Sequence, residues 1–332
     1  MTTADTRLGL ALGSGAARGL AHVGVLRAFA EAGLSPGAVA GTSIGAIVGG
    51  VYAAGRLDEF AEFVLGLDWR RSARLFLEAS FPHSGLIEGV RICELLRRIV
   101  GRRGIEELPI AFRAVATDVE TGREVVIGEG DLVAAIRASI AVPGIFSPAR
   151  RRSALLVDGG LVNPVPISVC RALGAQRVVA VDVNHGWIGG RRRAAAAGGK
   201  DGSAPPPGAG ARRLFQWLER RAKRRDAGAP APAREWTERR RGPSIFEVLG
   251  HTLRIVERQI TEMRLRLDRP DRLIRPRVGH YQFLDFHRAR ELIEEGYRAA
   301  KEALAAAPAK ESDRTVAPAK LSLIHISEPT RL

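Results

Sequence analysis

The sequence predicts an α/β domain: a mainly parallel sheet between layers of helices. Three observations predict it. Residues 8–12, 38–40 and 177–183 are short apolar runs bounded by glycine or polar residues, too short for helices and suited to buried strands. The first two each lead through a glycine-bearing turn into a segment of helical period. Strand, turn and helix repeated in that order make a βαβ unit, whose strands run parallel. With 332 residues, 45% of them apolar, the chain has material for a large core.

Along the chain, residues 13–19 form a glycine/alanine loop after the first strand. Leu20, Val23, Leu26 and Ala30 then recur at helical spacing to residue 32, and Gly33 is placed to cap that helix. Residues 44–54 read as a buried helix. Helices are expected over 56–67, 90–100 and 131–138. Strands are expected over 111–119 and 123–127 around the turn Glu120-Thr121-Gly122, and over 154–157, delivering Asp158-Gly159-Gly160 at the strand end. After a further strand at 177–183 the composition changes. An amphipathic helix at 245–267, a last strand at 273–278 and a closing helix at 287–304 complete the pattern. The expected organisation is a core over 7–185, an insert over 186–243, completing elements over 244–306 and a disordered tail over 307–332. No internal repeat is visible.

The formal net charge is +15, and 46 of the 51 basic residues are arginine. The segment 186–243 is rich in Gly, Pro and Ala and carries 15 Lys/Arg against five Asp/Glu, so most of the excess lies there. Such a composition predicts a charged loop without a core of its own. Within it, residues 211–225 set Leu214, Phe215, Trp217 and Leu218 among arginines, which wound as a helix gives an apolar stripe with a cationic border. That segment is a candidate for peripheral contact with an anionic membrane. Nucleic acid is permitted by charge alone and has no motif behind it, so none is expected. Two cysteines, Cys93 and Cys170, are too few for a disulfide framework. No apolar run is long enough to span a bilayer. A cytoplasmic protein, peripheral to the inner membrane at most, is the resulting expectation. The segment 321–331 resembles the conceptual translation of a transposon adapter and is read as an assembly artefact with no functional weight.

Three motifs carry chemistry. Gly41-Thr42-Ser43-Ile44-Gly45, after a strand and before a helix, has the form of a nucleophile elbow. Its glycines stand where a Cβ would meet strand or helix, and the helix N-terminus favours developing negative charge at the serine. Gly13-Ser14-Gly15-Ala16-Ala17-Arg18-Gly19 opens a helix and presents backbone amides. A dinucleotide fingerprint would want different glycine spacing and an acid about twenty residues on, and a phosphate loop would want Gly-Lys-Ser/Thr. An oxyanion hole needs two or three convergent amides, which Gly15 and Ala16 can supply; a plain strand–helix turn is the other reading. Asp158-Gly159-Gly160 places an acid at a strand end, on the same sheet edge as Ser43; elsewhere an Asp-Gly pair is a simple turn.

In this order, the three motifs resemble the patatin-like phospholipases, most of all the short bacterial branch related to neuropathy target esterase. Ala116-Thr-Asp-Val-Glu-Thr-Gly122 and Ala138-Ser-Ile-Ala-Val-Pro-Gly144 look like further family blocks. The resemblance covers roughly 7–185 and, more loosely, 245–304. It implies a three-layer patatin-like fold and a Ser–Asp dyad acting on lipid or other acyl esters through an acyl-enzyme. By position, Ser43 is the implied nucleophile and Asp158 the base. The amides of Gly15 and Ala16 become the oxyanion hole, with help from Arg18, and Gly13, Gly19, Gly41, Gly45, Gly159 and Gly160 are supporting positions. The chain departs from the family loop in carrying Ser14 and Ala16 where glycines are usual; any amide but that of proline can still donate. No cofactor and no metal are implied.

Three rivals stay open. A conventional triad would draw its histidine from 185, 251, 280 or 287, although none stands in a glycine-flanked loop, while His22 is placed to support the loop before it. A non-catalytic lipid-binding or regulatory protein could keep the same fold. Acyl transfer to an acceptor other than water would use the same site.

Overall fold

The computed structural model describes residues 5–75, 87–186 and 245–306. The basic insert beyond residue 186, with its segment 211–225, and the tail from 307 lie outside the described residues.

Eight strands form one sheet, in the order β5-β6-β3-β2-β1-β7-β8, with β4 also on β3. They are β1 (Asp5–Leu12), β2 (Pro36–Thr42), β3 (Ala111–Asp118), β4 (Glu124–Ile127), β5 (Ala149–Arg151), β6 (Ala154–Asp158), β7 (Arg177–Val181) and β8 (Arg272–Ile274). The run β3-β2-β1-β7-β8 is parallel, and β4, β5 and β6 pair antiparallel at one side. The predicted mainly parallel sheet is therefore present, with an antiparallel extension.

The helices are α1 (Ala21–Glu31), α2 (Ile44–Ala53), α3 (Leu57–Leu65), α4 (Trp69–Leu75), α5 (Val90–Val100), α6 (Leu132–Ser139), α7 (Ile167–Ala172), α8 (Ile245–Asp268) and α9 (Ala289–Ala305). Alternate strand residues face two cores. Leu10, Leu12, Val39 and Phe112 join the larger one, packed with α1, α2, α6 and α9. Ala11, Ala38, Ala40 and Val178 join the smaller one, packed with Ile167 and Cys170 of α7. This period of two on strands buried on both sides gives three layers, helix–sheet–helix.

The closest helix crossing is α1 on α9. A Cβ at Gly24 would lie 1.8 Å from the Ile293 carbonyl oxygen, and one at Gly296 would lie 1.9 Å from that of Ala21. The two backbones touch because both helices carry glycine at the crossing. Three elements were not anticipated: α4, the three-residue β5 and the six-residue α7. The last strand is shorter than the expected 273–278. It stops at Ile274, two residues before Pro276, which has no amide to continue the ladder.

Candidate active site

Strand register brings the motifs to one sheet edge. Thr42, the last residue of β2, pairs with Val115 of β3, and Asp158, the last of β6, pairs with the adjacent Ala116. Ser43 and Asp158 are 115 positions apart in sequence and meet at neighbouring rungs of β3. Leu12 of β1 pairs with Gly41 on one side and Val181 on the other, so the Gly13–Gly19 loop leaves from the same edge. This is the edge outside the carboxyl ends of the parallel strands, where open α/β sheets build their sites.

The Ser43 hydroxyl donates to Asp158 Oδ2 at 2.5 Å, and both residues are buried, 7% and 3% exposed. Ser43 has φ +57° and ψ −123°, a conformation rare for a residue with a side chain. It is held from several sides. Its amide donates to Ser139 Oγ at 2.9 Å, and that hydroxyl donates to the Val115 carbonyl at 2.5 Å. Thr42 Oγ1 donates to the Asn163 carbonyl at 2.8 Å. The turn closes so tightly that a Cβ on Gly41 would stand 2.2 Å from the Gly45 carbonyl oxygen, and one on Gly45 would stand 2.1 Å from that of Leu12. Glycine at both positions is thus a steric requirement.

Asp158 is fixed in turn. Its Oδ1 accepts from the Gly160 amide at 2.7 Å, and its carbonyl accepts from Thr117 Oγ1 at 2.8 Å. Burial, and next the neighbouring Glu257 carboxylate, pushes the Asp158 carboxyl up to about 7, against the two donors Ser43 and Gly160, which favour the ionised form. A carboxylate raised this far is a competent proton acceptor near neutrality.

In the glycine loop the amides of Gly13, Ser14 and Ala17 are taken up by the carbonyls of Val181, Pro164 and Phe283. No acceptor among the described residues takes up those of Gly15 and Ala16, which open a 3-10 turn over Ala16–Leu20. Gly15 and Ala16 have φ +158° and +51°. Gly19 lies against the serine turn, since a Cβ there would stand 2.1 Å from Ile44 Cγ2. Arg18 is buried and turned back: Nε donates to the Gly15 carbonyl at 3.2 Å and Nη2 to Asn184 Oδ1 at 2.8 Å. The guanidinium braces the loop carrying the two amides. His22 Nε2 bonds the Gly13 carbonyl at 2.8 Å, and burial pulls its pKa down to about 4, so the ring is neutral and structural.

A family model described as patatin-like phospholipase matches residues 10–171. Over those residues, just under half of the chain, the sequence is that of a patatin-like phospholipase match. An uncharacterized NTE family protein of Mycobacterium tuberculosis is 46% identical over 182 residues, 55% of this chain and 50% of that protein. A patatin-like phospholipase domain-containing protein of Caenorhabditis elegans is 39% identical over 182 residues, 53% of this chain and 13% of that one. The chain thus spans half or less of the length of these relatives. Among solved structures, VipD from Legionella pneumophila is similar at 13% identity and a TM-score of 0.43, over 90% of this chain and 66% of that one.

The patatin-like match ends at Arg171, so β7, α8, β8 and α9 lie beyond it, and with them two groups that the sequence did not single out. Asn184, after β7, donates to Ser14 Oγ and to Glu257 Oε2, both at 3.2 Å. Glu257, half-buried on α8, is packed so near Asp158 that a Cβ on Gly160 would lie 2.5 Å from its Oε1 and 3.0 Å from Asp158 Oδ1. Burial raises its pKa, while Arg18, Ser14, Arg254 and Asn184 favour its charged form. No sequence motif signals a lone glutamate on an amphipathic helix. Among the described residues no helix is long and apolar enough to cross a membrane, and no group of three or more His, Cys, Asp or Glu could hold a metal ion.

Proposed function

We propose that the chain is a serine acyl hydrolase cleaving lipid carboxylic esters through Ser43 and Asp158. The observation that carries this reading is the direct bond from Ser43 Oγ to the buried Asp158 carboxylate, in a strained turn at a helix N-terminus. The direct bond occupies the place a triad histidine would take between serine and acid, which favours a dyad. In the proposed cycle Asp158 takes the Ser43 proton as Oγ attacks the ester carbonyl carbon. The amides of Gly15 and Ala16 hold the oxyanion. The tetrahedral adduct expels the alcohol, which leaves with the proton from Asp158. Water then gives a proton to Asp158 and attacks the acyl-enzyme, and the fatty acid departs as the proton returns to Ser43. The membrane-facing peripheral location and the contact through 211–225 belong to the same proposal.

A fluorophosphonate probe tests the reading. Covalent labelling at Ser43, abolished by prior heating and by Ser43→Ala, is expected; an unlabelled native chain would identify a binding protein instead of an enzyme.

The pH dependence follows from Asp158. The base must be ionised, and its pKa is raised to about 7. Accordingly kcat/KM is expected to rise through neutral pH and to fall about tenfold per unit well below it. Glu257→Gln removes a neighbouring negative charge that raises Asp158, so the acid limb should move to lower pH. A profile of p-nitrophenyl ester hydrolysis, read at the isosbestic wavelength, checks both; an unshifted limb in the variant would sink the assigned coupling.

A further inference from the structure

Helix α8 roofs the sheet edge that carries Ser43 and Asp158. Its inner side places Leu249 over Gly144 and Glu257 over Gly160, and Arg264 Nε donates to the Val162 carbonyl at 3.2 Å. The outer side is unlike the rest of the surface. Val248, Ile255, Val256, Met263 and Leu267 are exposed by 44%, 53%, 40%, 55% and 77%. Their spacings of seven, one, seven and four keep them within about 120° around the axis, on one face, over about 29 Å of helix. The other residues exposed as a whole from 248 to 269 are His251, Thr252, Gln259, Arg266 and Arg269, and the acidic side chain that reaches solvent beside them, Glu262 at 43%, is paired with Arg258. The carboxylates of this stretch are engaged elsewhere: Glu257 with Asn184, Glu262 at the border with Arg258 at 3.0 Å, and Asp268 with Arg264 at 3.6 Å.

We propose that this outer face of α8 docks in the plane of an anionic lipid surface. An apolar row without carboxylates and with arginines toward one end is the pattern of a helix lying in the interface. Exposed rows of this length are uncommon on a protein that meets only water. Charge selects the occupant. A second copy would offer Arg266 no free carboxylate, because Glu262 at the border of the face is held by Arg258, whereas anionic headgroups attract cations at the surface. The helix also follows directly, in sequence, the segment 186–243 that holds most of the chain's +15 charge. Docked this way, α8 sets the Ser43–Asp158 edge immediately behind the helix that touches lipid. That consequence rests on the hydrolase reading; the docking does not.

The test separates the two. Full-length protein carrying Ser43→Ala is sedimented with phosphatidylcholine vesicles with and without phosphatidylglycerol. Binding that requires phosphatidylglycerol is expected. The added triple change Ile255→Ser, Met263→Ser and Leu267→Ser should weaken it at least about tenfold, since each removes exposed apolar area that docking would bury. Arg266→Gln with Arg269→Gln should also weaken it, an independent reading should the triple variant fold poorly. In the Ser43 background the triple change should leave turnover of a soluble p-nitrophenyl ester unaltered. Vesicle binding equal to the parent in both variants overturns the proposal. So does absence of binding in the parent, or a parent dimer that the triple change converts to monomer, which would make a second copy the occupant. Greater protease cleavage within 211–225 in the triple variant, without loss of vesicle binding, would likewise overturn it, pointing to that segment as the cover.

Discussion

Ser43→Ala is expected to lower kcat for a p-nitrophenyl acyl ester by about 10⁴-fold or more, with little change in thermal stability. The loss is large because the proposed reaction has no second nucleophile, and water held by the same amides lacks the serine's fixed position. The fold should survive for a local reason. Alanine keeps the Cβ, so the turn at φ +57° is no more strained than before, and the Ser139 and Gly41–Gly45 contacts are untouched. Asp158 loses one donor and keeps the Gly160 amide. Circular dichroism and a melting curve beside the assay separate lost chemistry from lost structure. Residual turnover above a tenth of the parent's would remove Ser43 from the mechanism.

The second large effect is on stability. Gly24→Ala would force a methyl to within 1.8 Å of the Ile293 carbonyl oxygen and 2.5 Å of the Tyr297 amide, all backbone atoms that no side-chain rotation can clear. Helices α1 and α9 must part, opening the packing of Leu292 and Ile293, both buried. A cost of at least about 3 kcal/mol is expected, and Gly24→Val should not yield soluble protein. Gly250→Ala on α8 is the control. An added Cβ there meets nothing within 4 Å, so the change should be neutral or stabilising by about 0.5–1 kcal/mol. Urea midpoints of the two alanine variants decide the matter; a Gly24 variant as stable as the parent would mean that the crossing is not tight.

Much of this was legible because it is local. A βαβ rhythm, a serine between glycines after a strand, and an acid at another strand end are each read from a few adjacent residues, and the sheet edge common to them follows from topology rules alone. What escaped is what depends on distant pairing. Ser139 looks like an ordinary helix residue until it is seen between the Ser43 amide and the Val115 carbonyl. Glu257 belongs to a helix whose period announces only that one side is buried; its closeness to Asp158 arises from how α8 crosses the sheet edge. Arg18 shows the same limit: its sequence position suggested a hand in anion binding, and its guanidinium is committed to Gly15 and Asn184. Among the elements, β5 and α7 are too short to carry a period, and β8 is ended by a proline that the apolar pattern alone runs past.

Strand β1 comes first in the chain and lies inside the sheet, with β2 on one flank and β7 on the other, while α1 waits for its glycine partner on α9. The order of synthesis therefore runs against the order of assembly. Once residue 45 has been made, the serine turn exists as sequence, but about 260 further residues must follow before α9 can close on α1. At the usual pace of translation that is on the order of ten to fifty seconds. For that interval the face of α1 that meets α9 has no cover, and for the first half of it, until β7 is made, one flank of β1 has no neighbour. Apolar surface left open in the unfinished chain is the surface through which such a chain associates with others before it can fold.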